Sequence, residues 1–280
     1  MLCTDLRIND TVVLPRWLDN YIYSHLGASY CKRNQDIVVL EWGEREVLEY
    51  LGTYFPRSFA EGYKIIQKLV NDKSDYLVIS NTISVLDFGC GTGGELVGMI
   101  HALKSSYPCI EQFHIKALDG NAFSLRVLDL VLERLASEME VGVVVEPCPI
   151  AIDDFYDLST IDKVICSTFD YIIVSKVVCE FVTKQQFAEN NPYVHILKVL
   201  LQKLKSNGLL YISDITSYNN TAQKWLGTMM NEAVDRVGGD IIHSNRGLNE
   251  EFIISHSRKR IDSSKIAWRI LSSKNNISSL

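Results

Sequence analysis

The sequence predicts an α/β protein: a doubly wound, mostly parallel sheet ending in an antiparallel C-terminal hairpin, preceded by a helical segment. Three observations carry this. From about residue 83 onward, apolar runs of strand length alternate with segments of helical period, the pattern of a parallel sheet covered on both faces. Four glycines fall within residues 89–94, straight after the first of those runs, as at a strand-to-helix turn that bares backbone amides to a ligand. The last two apolar runs are separated by too few residues for a helical crossover, so they pair antiparallel.

Taken in order, residues 1–75 read as a helical N-terminal segment and residues 76–280 as the sheet-bearing domain. In the first, Leu48, Leu51, Phe55, Phe59, Tyr63, Ile66 and Val70 fall on one helical stripe. Pro56 suits the first turn of a new helix, so two helices meet there rather than one running through. Strands follow at "ISVLDF" (83–88), "FHIKALD" (113–119), "VGVVVEPCPIAID" (141–153), "FDYIIVSKVV" (169–178) and "LLYISDI" (209–215), with the hairpin at "EEFIISHS" and "SKIAWRILSS" around the basic turn "RKRIDS". Ile172, Ile173 and Val174 are consecutive, as in a strand buried on both faces. Helices are expected from Gly93 with Leu96, Ile100 and Leu103 inward, and from Asn121 with Leu125, Leu128, Leu132 and Leu135 inward. Others are expected from Asn191 to a stop at Gly208 and over about 218–237. "NNPY" at 190–193 reads as N-cap and first helical position, Asn191 then Pro192.

Composition narrows the function. The 280 residues, 47% hydrophobic and 22% charged, are those of a globular protein with a sizeable core. A net charge of −6 weighs against broad nucleic-acid binding, which needs a basic face. No apolar run reaches the roughly 20 residues that cross a bilayer, and the N-terminus lacks the basic-then-apolar order of a signal peptide. Cys3, Cys31, Cys90, Cys109, Cys148, Cys166 and Cys179 show no CxxC spacing. Reduced, mostly buried thiols in a cytoplasmic protein are therefore expected, not disulfides or a zinc knuckle. The histidines form no HxH or HxxxH pair and no metal site is expected.

Gly89, Gly91 and Gly94 satisfy the dinucleotide spacing GxGxxG. Asp87, two residues before the first glycine, argues against that use. A carboxylate there repels a pyrophosphate and attracts an ammonium group. "VLDFGCGTGG" resembles motif I of the class I S-adenosylmethionine-dependent methyltransferases. The β/α order with its terminal hairpin is similar to that family over about residues 83–272. The resemblance implies a Rossmann-like sheet of seven strands and S-adenosylmethionine as cofactor. It also implies a site lined by Asp87, Gly89, Cys90, Gly91 and Gly93, with Asp87 serving the amino group.

On the same resemblance an acid ending the second strand accepts the ribose hydroxyls. Here it is Asp119, or else a plain turn residue; it stands 30 residues past Gly89. Asn121 beside it suits a helix N-cap. A polar residue after the third strand, Asp153 or Asp154, is expected near the adenine amine, with Ile152 and Phe155 as walls. Ser175 and Lys176 stand at the carboxyl edge of the fourth strand, which faces sulfonium and substrate. The Asn/Asp-Pro-Pro-aromatic motif of adenine and amide N-methyltransferases is absent there. No base motif is visible; Glu180, Asp214 and Tyr54 are the candidates for substrate contact or proton removal. The stretch 50–65, with Tyr54, Arg57 and Tyr63, either caps the active site or serves as core packing.

The expected function is in-line methyl transfer to a small molecule or a peptide or protein side chain, with no membrane partner. Two alternatives stand beside it. One is an RNA methyltransferase, because the helical lead-in resembles methyltransferase-like proteins of the mitochondrial small ribosomal subunit, although their metal-binding cysteines are not reproduced. The other is a cofactor-binding assembly or regulatory module without turnover.

Overall fold

The computed structural model describes residues 11–31, 42–152 and 154–273 of the protein. Its elements run β1 (Val12–Val13), α1 (Arg16–Asn20), a π-helical turn (Tyr21–His25), α2 (Glu44–Thr53), α3 (Phe55–Asp72), β2 (Thr82–Phe88), α4 (Gly94–Ser106), β3 (Gln112–Asp119), α5 (Ala122–Met139) and β4 (Gly142–Pro149). There follow α6 (Ser159–Val164), β5 (Phe169–Ser175), α7 (Val178–Phe181), α8 (Lys184–Glu189), α9 (Pro192–Leu200), β6 (Leu204–Ile215), β7 (Tyr218–Asn219), β8 (Lys224–Trp225), α10 (Leu226–Val237), β9 (Gly239–Ser244), β10 (Glu250–His256) and β11 (Lys259–Ser273).

Among the described residues nine strands form one sheet, ordered β1-β10-β11-β6-β5-β2-β3-β4, with β9 also paired to β11. β4, β3, β2, β5 and β6 are parallel, and β11 runs antiparallel between β6 and β10. This is the doubly wound, Rossmann-like sheet with an antiparallel hairpin that the sequence predicts. Two strands exceed the expected seven. β1 has two residues, too few for alternation to be read. β9 pairs the distal half of the long β11, which β10 does not reach.

Alternation along the strands sorts the core. Ile83 and Val85 of β2 pack on the face covered by α2 to α5, whereas Leu86 and Phe88 pack on the face covered by α9 and α10. The helical stripes behave as expected: Leu51, Phe55, Phe59 and Ile66 are buried, as are Leu96, Ile100 and Leu103 of α4 and Leu125, Leu128, Leu132 and Leu135 of α5. The chain breaks between α2 and α3 at Tyr54, and Pro56 occupies the first turn of α3.

Some expectations give way. The helix expected to close at Gly208 ends at Leu200, and β6 begins at Leu204. Gly208 lies within β6, where a Cβ would stand 2.7 Å from Phe169 O; strand approach, not a helix cap, requires the glycine. β5 stops at Ser175 because Lys176 adopts a left-handed backbone (φ +58°). The last helix starts at Leu226, after a short β7–β8 ribbon whose turn is held by Asn219 Oδ1 accepting from Thr221 and Ala222 N–H. The hairpin turn contracts, and Lys259 already belongs to β11, donating to Tyr30 Oη and Asp262 Oδ1 at 2.8 Å each. Only Cys90 of the six described cysteines is buried; Cys31, Cys109 and Cys166 are exposed and Cys148 and Cys179 half-buried, while Cys3 lies outside the described residues. Cys109 and Cys166 fall in loops and Cys148 on the edge strand β4, where little covers them. No helix among the described residues is long and apolar enough to cross a membrane.

One packing contact decides where the N-terminal segment sits. A Cβ on Gly62 of α3 would lie 2.2 Å from Glu95 O, and one on Gly98 of α4 would lie 2.3 Å from Phe59 O. The two helices therefore touch backbone to backbone. Gly98→Ala is expected to lower the unfolding free energy by about 1–3 kcal/mol despite the better helix propensity of alanine. A urea melt with an unchanged or raised midpoint would contradict that contact.

Candidate functional site

β2 lies between β3 and β5, so the crossovers leave it in opposite directions and open a crevice at the carboxyl ends of these strands. The glycine loop is built there. Gly89, Gly91 and Gly93 are left-handed (φ +69°, +51° and +80°), a backbone only glycine adopts without cost. Gly89 and Cys90 N–H both donate to Leu118 O, at 2.8 and 3.0 Å, tying the loop to the end of β3. Asp119, the last residue of β3, adds a second tie. Its Oδ2 accepts from Gly91 N–H and its Oδ1 from Asn121 N–H, each at 2.8 Å. Burial raises the Asp119 carboxyl above its ordinary range, and these two donors oppose the rise. Asn121 caps α5 by accepting from Ser124 N–H at 3.0 Å, the N-cap role read from the sequence.

A cavity opens beside the loop. Gly89, Gly91, Asp119, Ser175 and Glu180 of the sequence-predicted residues line it. Leu118, Ile150, Ile152 and Ile161 form an apolar side, and Tyr50, Lys176 and Val177 contribute the remaining walls. Asp87 lies behind the lining, 3% exposed, and no described residue donates to its carboxylate. Burial, then the nearby Glu95 and Asp119 carboxylates, hold its carboxyl well above the ordinary range. Glu180 is open to water through the cavity yet ringed by protein. This crowding, with Asp214, Asp119 and Glu95 adding and Lys176 opposing, pushes it up to about 8.

The other predicted residues sit elsewhere. Cys90 is buried behind the loop, its thiol pushed well up by burial, and Gly93 abuts Leu128 of α5. Asp154 is exposed and spends Oδ1 on Tyr156 N–H at 2.7 Å, a turn contact away from the cavity. Asp153 lies outside the described residues. Phe155, expected as a wall, is buried in the core instead. Asp214 is fully buried and accepts from Tyr193 Oη at 2.6 Å, Cys179 N–H at 3.2 Å and Ile215 N–H at 2.8 Å. It pins α7 from behind. Tyr54 stacks on Tyr50 at 4.8 Å, with the Arg57 guanidinium 4.6 Å above its own ring. Tyr50, not Tyr54, reaches the cavity: a Cβ on Gly91 would meet its Cε1 at 3.8 Å.

What fixes the β5 edge is not visible in the sequence pattern. Lys176 Nζ lies 2.6 Å from Glu95 Oε1 and 2.8 Å from Glu61 Oε2, and donates to Ser58 Oγ at 2.7 Å. Ser175 Oγ donates to Glu95 Oε1 and pairs with Ser213 Oγ, both at 2.8 Å. Burial disfavours the lysine charge, but Glu61 and Glu95 outweigh it and raise Lys176 above the ordinary lysine range. One cation serves two carboxylates. Burial raises Glu61 despite Lys176, whereas Lys176 and the hydrogen bonds to Glu95 overcome burial and lower it. Glu61 therefore takes the first proton. Nothing in the helical period marks Glu61, because a glutamate beside an apolar stripe reads as solvent-facing.

No protein-family profile matches the sequence, and no curated protein matches it. Among the solved structures that resemble the fold are methyltransferases. A protein assigned as an RNA methyltransferase from Pyrococcus horikoshii is 13% identical, covering 94% of this chain and 98% of that one at a TM-score of 0.46. Precorrin-6y C5,15-methyltransferase from Geobacter metallireducens is 12% identical over 76% of this chain and 89% of that one, at 0.45. An S-adenosylmethionine-dependent methyltransferase from Clostridium acetobutylicum is 12% identical over 78% and 92%, also at 0.45.

Replacing Lys176 by Met strands Glu61 and Glu95 without a counter-ion, at an expected cost of about 3–5 kcal/mol near neutral pH. In that variant both carboxyls titrate higher folded than unfolded, so its stability recovers as the pH falls and their protons bind. Melts of the variant between pH 8 and pH 5 check this; a deficit that is constant across the range contradicts it.

Proposed function

We propose that the cavity binds S-adenosylmethionine and that the protein transfers its methyl group to a small-molecule or a peptide or protein side-chain acceptor. The observation that carries this reading is Asp87: a buried carboxyl to which no described residue donates, directly before a loop of left-handed glycines that lines the cavity. Such a group calls for a cation. The amino acid portion of the cofactor brings an ammonium, and its sulfonium brings a second positive charge. At Gly89 a side chain would intrude, since a Cβ there would stand 2.4 Å from Val177 Cγ2, which lines the cavity.

The residues divide the remaining work. Asp119 uses its two oxygens on Gly91 and Asn121 N–H and keeps lone pairs for the ribose hydroxyls. Ile150, Ile152, Ile161 and Leu118 offer an apolar slot suited to the adenine ring. Ser175 and Lys176, locked through Glu95 and Glu61, fix the β5 edge, and Tyr50 of α2 covers the loop from the opposite side. When bound, the cofactor supplies a methyl group on positive sulfur, ready for in-line displacement. The protein's part is then alignment and exclusion of water.

Titration calorimetry is expected to detect binding of both S-adenosylmethionine and its demethylated product. Asp119→Ala is expected to weaken each at least about tenfold, roughly 1.4 kcal/mol. Absence of heat with either ligand, at concentrations up to the millimolar range, would sink the reading.

A further inference from the structure

The charges around the cavity constrain what else enters it. Glu180 and Asp119 line it, with Asp87 and Glu95 close behind. The lining cation, Lys176, is held by Glu61 and Glu95. Glu180 faces Asp119 of β3, Asp214 of β6, Glu95 of α4, Tyr50 of α2 and Lys176 of its own segment. No described residue donates to its carboxylate or to the Tyr50 hydroxyl, though both line the cavity. A phosphate or carboxylate entering here meets more acidic groups than cations, whereas a protonated amine finds a carboxyl to which no described residue donates and an aromatic ring.

We propose, resting on the methyl-transfer reading above, that the acceptor atom is an amine nitrogen and that Glu180 is the catalytic base that receives its proton. The ammonium passes one proton to the Glu180 carboxylate. The freed nitrogen lone pair then forms the bond to the donor methyl carbon. The carbon–sulfur bond breaks with its electron pair left on sulfur, which departs as a neutral thioether, and the methylated nitrogen carries the positive charge. With its carboxyl pushed up to about 8, Glu180 holds its own proton below that pH and becomes a proton acceptor as the pH rises through it.

The test offers the full chain methyl-labelled S-adenosylmethionine with spermidine, a lysine-rich peptide or a 5′-phosphorylated RNA oligonucleotide. Label is expected on spermidine or on the peptide, which separates a free amine from a protein side chain, and not on RNA. Glu180→Gln should lower turnover at least about tenfold, with partial rescue by Glu180→Asp, while affinity for S-adenosylhomocysteine stays within about twofold. Label on RNA, no label on either amine from a chain that binds the cofactor, or full turnover by Glu180→Gln overturns the proposal. A chain that binds no cofactor overturns the methyl-transfer reading instead.

Discussion

The close approach of α3 and α4 governs the rest of the molecule. Gly62 lies against Glu95 O and Gly98 against Phe59 O, so the two backbones meet with no side chain between them. Because α4 begins where the glycine loop ends, this contact lays the N-terminal segment directly on the loop's own helix. Glu61 and Ser58 of α3 are thereby brought to Lys176, and α2 carries Tyr50 over Gly91. The N-terminal segment is thus part of the cavity wall as well as of the core: Phe55 and Phe59 are buried packing, and Tyr50 faces the cavity.

Electrostatics follow from the same contact. Lys176 holds a left-handed backbone that a non-glycine residue adopts at a cost of order 1–3 kcal/mol, offset by two carboxylates and a hydroxyl gathered on its ammonium. That locks the β5 edge beside β2. Asp119 does the equivalent on the other side, joining β3 to the loop through Gly91 N–H. The crevice at the switch of strand order is therefore held at both lips by ionisable groups, and acids outnumber cations in its lining.

What the sequence made legible was whatever depends on period and local backbone. The stripe through Leu51, Phe55, Phe59 and Ile66, the break at Pro56, the inward leucines of α5 and the strand–glycine–helix junction all follow from local rules. Asp119 was legible as a candidate because strand ends are where binding groups of such sheets sit, and it does line the cavity. Long-range effects were not. Gly208 looks like a helix stop but answers to Phe169 on the neighbouring strand, and β9 exists because β11 has a free edge to fill. Glu61 and Lys176 lie 115 residues apart, and only the folded chain pairs them. Asp154 carried the right chemistry, yet Tyr156 N–H claims it for a local turn.

The glycine loop and the N-terminal α2 line one cavity, so on the proposed reading the two respond together to a ligand. Amide hydrogen exchange with and without S-adenosylhomocysteine tests it most directly. Slowed exchange is expected together at residues 89–93, at the end of β3 near Asp119, and in α2 around Tyr50. Protection restricted to the loop and β3, with α2 exchanging as fast as in the free protein, would contradict it.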